Sequence, residues 1–435
     1  MIKMAFSHRL LLGRLLTRSG DQAWDFAVPL ILLKILPGEL RVAAFYYFLI
    51  RLALVIFLPR LTSLIDRINR FNAARLGILL QLVGVLLGLF SIYFISMLNS
   101  IEPMWGKGPF IFAFVGLVLG GVVASLGSSF MDIAIANDLV PSSFTENELA
   151  AFNSRLRQVD LLTEVTAPVV AGLLLVLESP LAPLFGFLLI GLWNVFSFVP
   201  EYILLKSIFD ERPDLKNKEI NIERVKNSSF VKNITSGWKS FFSEPVSLAV
   251  IAYALLWLSV LSPHGVLLTA YLTDGWKLPE WEIGIFRGLG AFFGLGATLL
   301  FPWVNKKLGL IKTAHIFLAF QSASVITALM FFYMDNRTGQ IGFLALILLS
   351  RIGLYGFSLG EMQIRQVGIR PEVRGEVNGF ANALTGIATL GLYGAGALLP
   401  STQDFTKLIV LSVSFVILGL AVYSVWVRKS RQIKY

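Results

Sequence analysis

The sequence predicts an all-α integral membrane protein with twelve transmembrane helices in two pseudo-symmetric halves of six. The 435-residue chain is 56% hydrophobic and only 15% charged, a composition that is not typical of water-soluble domains of this size. Apolar stretches of roughly 20 residues, each long enough to cross a bilayer as a helix, recur about twelve times. Short charged loops separate these stretches, which favours a helix bundle over a β-barrel.

The two halves are predicted from one hydrophilic linker and from features that recur on either side of it. Residues 207–236 form the only long hydrophilic stretch, which mixes both signs of charge as a cytoplasmic linker does. A charged loop follows the second span at residues 66–70 and the eighth span at residues 305–307, and Asn153 and Asn378 each open the fifth helix of a half. We therefore assign residues 1–206 to an N-terminal half, 207–244 to the linker, 245–428 to a C-terminal half and 429–435 to a cytoplasmic tail.

The distribution of charge predicts the orientation in the membrane. The formal net charge is +10, but Lys and Arg concentrate in alternate loops rather than on one basic domain, so the charge indicates topology and not nucleic-acid binding. The positive-inside rule then places both termini in the cytoplasm. We expect a multi-pass protein of the cell (inner) membrane that contacts the lipid bilayer and no nucleic acid.

The first span contains the strongest functional signal. Residues 11–36 are long enough to cross the bilayer, yet they carry Asp21 and Asp25 near the middle, where each carboxylate costs several kcal/mol if it faces lipid. Thr17, Asp21 and Asp25 are spaced at i, i+4 and i+8, so a helix places their oxygen atoms on one face. Oxygen atoms gathered on one inward face suit a cation.

Two further features of this span bear on the cation hypothesis. Gly20 and Pro29 are expected to loosen the helix and to free backbone carbonyls, as in the discontinuous helices of transporters. The alternative interpretation is that the two carboxylates pair with Arg14 or Arg18 and only brace the bundle.

Polar residues also mark the sixth and seventh spans. Asn194, Ser197, Phe198 and Glu201 are spaced at i, i+3, i+4 and i+7, so they share one helical face. The seventh span is interrupted at residues 262–265, where proline removes a backbone hydrogen bond and glycine adds freedom. Local unwinding is therefore expected in the seventh span.

His264, within that interruption, is the only histidine deep in a predicted membrane segment. An imidazole beside freed carbonyls is suited to bind a metal or to accept a proton, and the alternative is a neutral histidine hydrogen-bonded inside the bundle. The chain contains no cysteine, which excludes disulfides and thiolate ligands. Any metal must therefore be held by oxygen and nitrogen donors.

Charged and amide side chains cluster at the predicted cytoplasmic ends of several spans. They are expected either to form gates that close the cytoplasmic mouth or to make up a static network at its rim. The candidate gating residues are Asp66, Arg70, Asp138, Asn153, Arg157, Asp160 and Arg374.

Stretches scattered over nearly the whole chain are similar to one family of transporters. Residues 19–28, SGDQAWDFAV, resemble a first helix with the pattern Gly-Asp followed by Trp-His-Phe-Ala-Val, and residues 193–197, WNVFS, resemble the sixth helix of the same family. Further similarity covers residues 153–161, 351–354 and 374–379. The chain thus resembles the ferroportins, iron exporters with the fold of the major facilitator superfamily.

This resemblance implies proton-coupled export of Fe2+ by alternating access, with one metal site in each half. The first-helix aspartate of the family corresponds to Asp21. Gln81, Asn194 and Glu201 match positions that can close an oxygen-rich site in the N-terminal half, which also suits Ca2+.

Under this hypothesis, Asp21 binds the cation with Asn194 and Ser197 while the cavity faces the cytoplasm. Proton return through Asp25 or His264 then releases the metal. The expected partners are divalent metal ions, protons and lipid. We expect a monomer, with no cofactor held as a prosthetic group.

Three positions depart from the animal members of the family. Asp25 stands where they have histidine, Gly265 where they have cysteine, and Leu392 where they have a further histidine. The C-terminal site would therefore be built around His264. Without a thiolate, the sites are expected to be less selective among Fe2+, Mn2+, Co2+, Ni2+ and Zn2+, and control by a peptide hormone is not expected.

The sequence leaves other functions open. A drug or organic-cation proton antiporter of the same superfamily would place the carboxylates against an ammonium group and line its cavity with aromatic side chains. A membrane sensor or scaffold is disfavoured, because the sequence shows no soluble binding domain. An enzyme is not expected, because no nucleophile paired with a base and no His-Glu metal motif is present.

Overall fold

The computed structural model is almost entirely helical, and the residues that it describes contain no strand. The structure describes residues 5–35, 40–101, 108–177, 184–216, 238–239, 241–263, 265–278, 280–334, 336–399 and 404–430. His264 and most of the predicted linker lie outside the described residues.

The first six predicted spans each form one helix. These are α1 (Phe6–Ile35), α2 (Leu40–Thr62), α3 (Arg70–Ile101), α4 (Gly108–Asp132), α5 (Glu146–Leu175) and α6 (Phe185–Glu211). A π-helical segment, Ile133–Leu139, continues α4 and is followed by a 3-10 turn at Val140–Ser142. Single π-helical turns of this kind are frequent at functional sites.

From residue 247 onward, the described residues form seven α-helices, because the seventh span is split in two. These are α7 (Ser247–Leu256), α8 (Val266–Ala270), α9 (Glu280–Leu308), α10 (Leu310–Phe332), α11 (Arg337–Gly368), α12 (Arg374–Leu398) and α13 (Phe405–Ser430).

Nine helices in the described part of the chain are long and apolar enough to cross a membrane. The other three predicted spans are α1, α12 and the split pair α7 and α8. Helix α1 carries Asp21 and Asp25 among several basic side chains, and α7 and α8 are short. Charged residues within membrane spans are expensive and mark functional positions, so function is expected at α1.

The chain divides into two compact units. The first comprises Met1–Ser143 with Leu162–Asn227, and the second comprises Phe144–Leu161 with Ser228–Tyr435. Helix α5 therefore contributes its N-terminal turns to the second unit and its remaining turns to the first. The halves that we predicted, with boundaries at residues 206 and 244, stay a prediction.

In the first unit, α1 packs closely on α6 through Gly20. A Cβ atom at Gly20 would lie 3.0 Å from Cα of Asn194 and 3.3 Å from Oγ of Ser197. Helix α1 runs unbroken through Gly20 and Pro29, so the expected loosening of this span is wrong. The expected freeing of a carbonyl is confirmed at Pro29, which has no amide hydrogen for the Asp25 carbonyl, and that carbonyl accepts from the Tyr47 hydroxyl instead. The glycine instead lets two backbones approach, as small residues do between membrane helices.

In the second unit, the predicted interruption of the seventh span is confirmed. The chain leaves the helix between α7 and α8, and two neighbouring helices satisfy the freed backbone groups. The amide of Val260 donates to Oγ of Ser412 at 2.9 Å, and the carbonyl of Leu261 accepts from Nη2 of Arg351 at 2.6 Å. Non-helical backbone at membrane depth needs such partners, because a lost hydrogen bond cannot be replaced by lipid.

Amide and hydroxyl side chains connect the N-terminal turns of α5 to other helices of the second unit. Nδ2 of Asn153 donates to Oε1 of Gln366 at 2.6 Å, and Nε2 of Gln366 donates back to Oδ1 of Asn153 at 3.2 Å. One turn later, Nε2 of Gln158 donates to Oγ1 of Thr298 at 3.1 Å. These bonds join α5 to α11 and α9.

Candidate metal centre

A polar cavity of about 300 Å³ lies among helices of the first unit. Helices α1, α2, α3, α4 and α6 all contribute to its lining. The lining residues with charged or hydrogen-bonding side chains include Arg18, Asp21, Asp25, Arg51, Ser125, Ser128, Ser129, Asp132 and Asn194, and the aromatic ones are Trp24, Tyr46 and Tyr47. We call the predicted polar faces of α1 and α6 the polar stripes. Asp21 and Asp25 of the α1 stripe and Asn194 of the α6 stripe therefore meet at one cavity.

Asp21 is oriented from α4. Oγ of Ser128 donates a hydrogen bond to Oδ2 of Asp21 at 2.8 Å. Among the described residues, no arginine, lysine or histidine forms an ion pair with this carboxylate. A neutral donor thus holds one carboxylate oxygen, and no direct salt bridge cancels the negative charge.

Asp25 lies one turn further along α1 and lines the same cavity. Its side chain is exposed, in contrast to the buried residues on the other predicted stripe. Its backbone carbonyl accepts a hydrogen bond of 2.5 Å from the hydroxyl of Tyr47 on α2. A carboxylate that is open to the cavity can exchange protons with water there, whereas a sealed one cannot.

Asn194 brings α6 to the cavity, and its side chain lacks partners. The residue is only 1% exposed, yet neither Oδ1 nor Nδ2 makes a hydrogen bond to a described residue. Buried amides in native proteins are normally satisfied, and an unsatisfied one calls for an explanation such as an ion or water. Oγ of Ser197 donates to the Asn194 carbonyl at 2.6 Å, so this hydroxyl serves the helix backbone.

The remaining predicted ligands of the first unit are buried but lie outside the lining of the cavity. Oγ1 of Thr17 donates to the carbonyl of Gly13 at 3.1 Å, and Phe198 is 2% exposed. Oε1 of Gln81 and Oε2 of Glu201 make no hydrogen bond to a described residue. These two oxygen atoms are therefore available as further donors next to the stripe.

Clusters rich in charged or thiol ligands are absent from the described part of the chain. No group of three or more His, Cys, Asp or Glu side chains there is close enough to hold a metal ion. A cation at Asp21 would therefore be held in part by amide and hydroxyl oxygens, which are ligands for hard cations. The predicted metal ligand His264 lies outside the described residues.

Arg14 and Arg18 pair with a residue that the sequence analysis did not single out. Arg14 of α1 forms an ion pair with Asp132 of α4, and Nη1 of Arg18 lies 3.9 Å from Oδ2 of the same carboxylate. The alternative in which these arginines brace the bundle through Asp21 or Asp25 is therefore not what the structure shows. Asp132 is the carboxylate with which both arginines pair instead.

Helix α4 carries polar side chains of the cavity wall that sequence reasoning missed. Ser125, Ser128, Ser129 and Asp132 all line the cavity. Their spacing of i, i+3, i+4 and i+7 is the pattern that identified the stripe on α6, so the signal was present in the sequence.

The candidate gating residues lie in two separate groups, one in each unit. In the first unit, Nε of Arg70 lies 3.0 Å from Oδ2 of Asp138, and Nη2 donates to Oγ of Ser142 at 2.8 Å. Asp138 is completely buried, and Asp66 lies half-buried in the turn after α2. The ion pair of Arg70 with Asp138 lies within the first unit, and its role as a gate stays a prediction.

In the second unit, the candidate gating residues bond mainly to α11. Asn153 pairs with Gln366, and Nη2 of Arg374 donates to the Gln366 carbonyl at 3.0 Å. Nη1 of Arg157 lies 3.9 Å from Oδ2 of Asp160, and its guanidinium stacks 4.7 Å above the ring of Tyr355. Their gating role also stays a prediction.

Comparison with known proteins identifies the family. A family model described as Ferroportin1 matches residues 4–416 of the chain. The chain belongs to the ferroportin family. It is 46% identical over 426 residues to the ferreportin of Bdellovibrio bacteriovorus, which covers 98% of this chain and 94% of that protein.

Solved structures of ferroportin homologues match the fold. A bacterial homologue of the iron transporter ferroportin, crystallised in an outward-facing state with soaked iron, is 44% identical and has a TM-score of 0.88, covering 97% of this chain and 99% of that chain. The inward-facing state of a bacterial homologue gives 44% identity and a TM-score of 0.66, covering 97% and 98%. The predicted all-α, multi-pass membrane fold is thereby confirmed, and as a ferroportin-family member the protein is a membrane transporter rather than an enzyme.

Proposed function

We propose that this ferroportin-family protein exports divalent transition metals, with Fe2+ as its main cargo, by alternating access coupled to protons. Iron as cargo is supported by the bacterial homologue that was crystallised with soaked iron. Alternating access is supported by the outward-facing and inward-facing structures of bacterial homologues. The protein would act in the cell (inner) membrane as a monomer with both termini in the cytoplasm.

The observation that carries the proposal is the meeting of Asp21 and Asn194 at one cavity. A buried amide without partners costs about 1–3 kcal/mol, a cost that a bound cation would offset through Oδ1. Asp21 supplies a negative charge that no described ion pair cancels. A divalent cation between α1 and α6 would satisfy both groups at once.

The donor set bears on the choice of metal. Asp21 and Asn194 offer oxygen atoms to a metal. The affinity of such sites for divalent metals follows the general Irving–Williams order rather than a preference for one ion. Mn2+, Co2+, Ni2+ and Zn2+ are therefore proposed as further cargo. Ca2+ prefers six to eight oxygen ligands, and the buried oxygen atoms of Gln81 and Glu201 would extend the shell for it.

Proton coupling is assigned to Asp25. This carboxylate lines the cavity, is exposed, and stands one helical turn from Asp21. Protonation of Asp25 would remove a negative charge beside the bound cation and so weaken its binding. Metal release and proton uptake would then be linked at two neighbouring positions of α1.

Transport into proteoliposomes tests the function. Co2+ entry can be followed by quenching of an enclosed metal-sensitive dye, with wild type compared with Asp21→Asn. The variant keeps the side-chain volume and is expected to lose about tenfold or more of the initial rate, because the charged ligand Asp21 of the proposed site is neutralised.

Asp210→Asn serves as the matched control for this assay. It removes an exposed carboxylate of the same unit, which pairs with Lys216 at 3.3 Å. The control is expected to transport like wild type. Equal rates for wild type and folded Asp21→Asn would reject the proposed site, and absence of metal flux in wild type would reject the proposed function.

An organic-cation antiporter is the second candidate, because aromatic rings line the same cavity. Trp24, Tyr46 and Tyr47 contribute to its wall, and such rings attract ammonium groups. A volume of about 300 Å³ lies at the small end of ligand pockets. Inhibition of Co2+ uptake by Mn2+ but not by tetraphenylphosphonium favours metal transport, and the reverse pattern favours the organic cation.

A further inference from the structure

Three charged residues beside the candidate metal centre have no part in the proposed ligand set. Arg14 and Arg18 of α1 both pair with Asp132 of α4, and Arg18 and Asp132 line the cavity that holds Asp21. A guanidinium group that lines a cation site, as that of Arg18 does, opposes metal binding, since like charges repel. The arrangement of the three residues therefore bears directly on whether the site can work.

Arg18 has a second carboxylate within its reach. It precedes Asp21 by three residues on α1, and side chains at i and i+3 of a helix are neighbours. The two groups also interact electrostatically. If Arg18 formed a salt bridge with Asp21, the positive guanidinium would occupy the oxygen atoms that a metal needs.

The same face of α4 contacts both the Asp21 carboxylate and the arginines of α1. Ser128 donates to Oδ2 of Asp21, and Asp132, one turn later, accepts from Arg14 and lies 3.9 Å from Arg18. Helix α4 thus presents a neutral donor to the carboxylate and a negative charge to the arginines. If Asp132 only braced the bundle, its ion pair with Arg14 would be enough. The brace would not require Asp21 to have a separate neutral partner on α4.

We propose that Asp132 is a positioning residue that holds the Arg18 guanidinium away from the Asp21 carboxylate and so keeps that carboxylate available to a divalent cation. The inference rests on the proposed function of the Asp21 site. It gives Asp132 a role in metal affinity without direct contact with the metal. Loss of the Asp132 charge would free Arg18 to pair with Asp21.

Suppression of one substitution by another tests the inference. Affinity for Co2+ is measured by titration calorimetry on the purified full-length protein, for wild type, Asp132→Asn, Arg18→Gln and the double variant. Asp132→Asn is expected to raise the Kd about tenfold or more, because Arg18 then competes with the metal. The double variant, which has the same net charge as wild type, is expected to return to within about threefold of the wild-type Kd.

The outcomes of this comparison bear separately on the role of Asp132 and on the proposed function. Unchanged affinity in Asp132→Asn, with wild type binding normally, overturns the inference and leaves the proposed function intact. Weak binding in both Asp132→Asn and the double variant also overturns it, because Asp132 would then act as a brace or as a ligand itself. Failure of wild type to bind Co2+ overturns the proposed function.

Two further measurements separate this role from a folding defect. Thermal unfolding of each variant in detergent, with Asp210→Asn as the control, shows whether the fold is retained. If Asp132→Asn does not fold, the double variant and Arg18→Gln still decide the matter. Both are expected to bind Co2+ at least about as tightly as wild type, and a clearly weaker double variant overturns the inference.

Discussion

The hydroxyl of Ser128 on α4 donates a hydrogen bond of 2.8 Å to Oδ2 of Asp21 on α1. This bond crosses between two helices and fixes the orientation of the carboxylate that the proposed transport function requires. Residues that orient a metal ligand from behind are often nearly as important as the ligand itself.

Removal of the orienting hydroxyl is expected to weaken metal binding. Ser128→Ala should raise the Kd for Co2+ about tenfold, a typical effect of losing a group that supports a metal ligand. Ser128→Thr keeps the hydroxyl and should restore most of the affinity. Ser63→Ala, which removes a hydroxyl of the same unit that lies outside the cavity lining and donates to the Arg60 carbonyl, is the control, and an equal loss in the control would contradict the role of Ser128.

Asn194 is expected to lower the stability of the metal-free protein and to be required for Co2+ binding. Asn194→Leu removes a buried amide without partners and should stabilise the metal-free protein by about 1 kcal/mol, while it abolishes Co2+ binding. Tryptophan fluorescence during thermal unfolding measures the first effect and calorimetry the second. A lower Tm together with intact Co2+ binding would show that the amide has a structural role instead.

The close approach of α1 and α6 depends on Gly20. Gly20→Ala would place a Cβ 3.0 Å from Cα of Asn194, so the helices must separate, at a cost of about 1–3 kcal/mol. We expect a lower Tm and weaker Co2+ binding, because Asp21 and Asn194 move apart. Gly288→Ala is the control, since nothing lies within 4 Å of the added methyl group, and equal losses in both variants would contradict the explanation.

Arg351 is expected to stabilise the break in the seventh span. Arg351→Met removes the donor to the Leu261 carbonyl and should speed hydrogen exchange of the peptide that covers residues 256–263. Arg287→Met on α9, where the side chain is exposed, should leave that exchange unchanged. Unaltered exchange in Arg351→Met would mean that Ser412 alone holds the segment.

Much of the fold follows from the sequence because bilayer physics restricts it. Runs of apolar residues predicted the spans, and Pro263 with Gly265 predicted the break that separates α7 from α8. The break begins before the proline because Ser412 and Arg351 reach the backbone at Val260 and Leu261. Such partners are distant in sequence, so local patterns do not reveal them.

The candidate site was predicted in part, for a similar reason. Periodicity placed Asp21 and Asn194 on polar faces, but it does not state which faces meet. The role of Gly20 was misjudged because a glycine that loosens a helix and a glycine that admits a neighbour have the same local signature. Asp132 was missed because its importance comes from Arg14 and Arg18, which reach it from another helix.

The most direct test of the central claim is the location of the bound metal. Crystals of the protein grown with Co2+ allow an anomalous difference map at the cobalt absorption edge. The account predicts a dominant peak in the first-unit cavity, with Oδ1 of Asn194 and an oxygen of Asp21 each at about 2.0–2.2 Å from the metal. A protein that transports Co2+ but shows its only peak elsewhere, with Asp21 and Asn194 free of metal, would contradict the account.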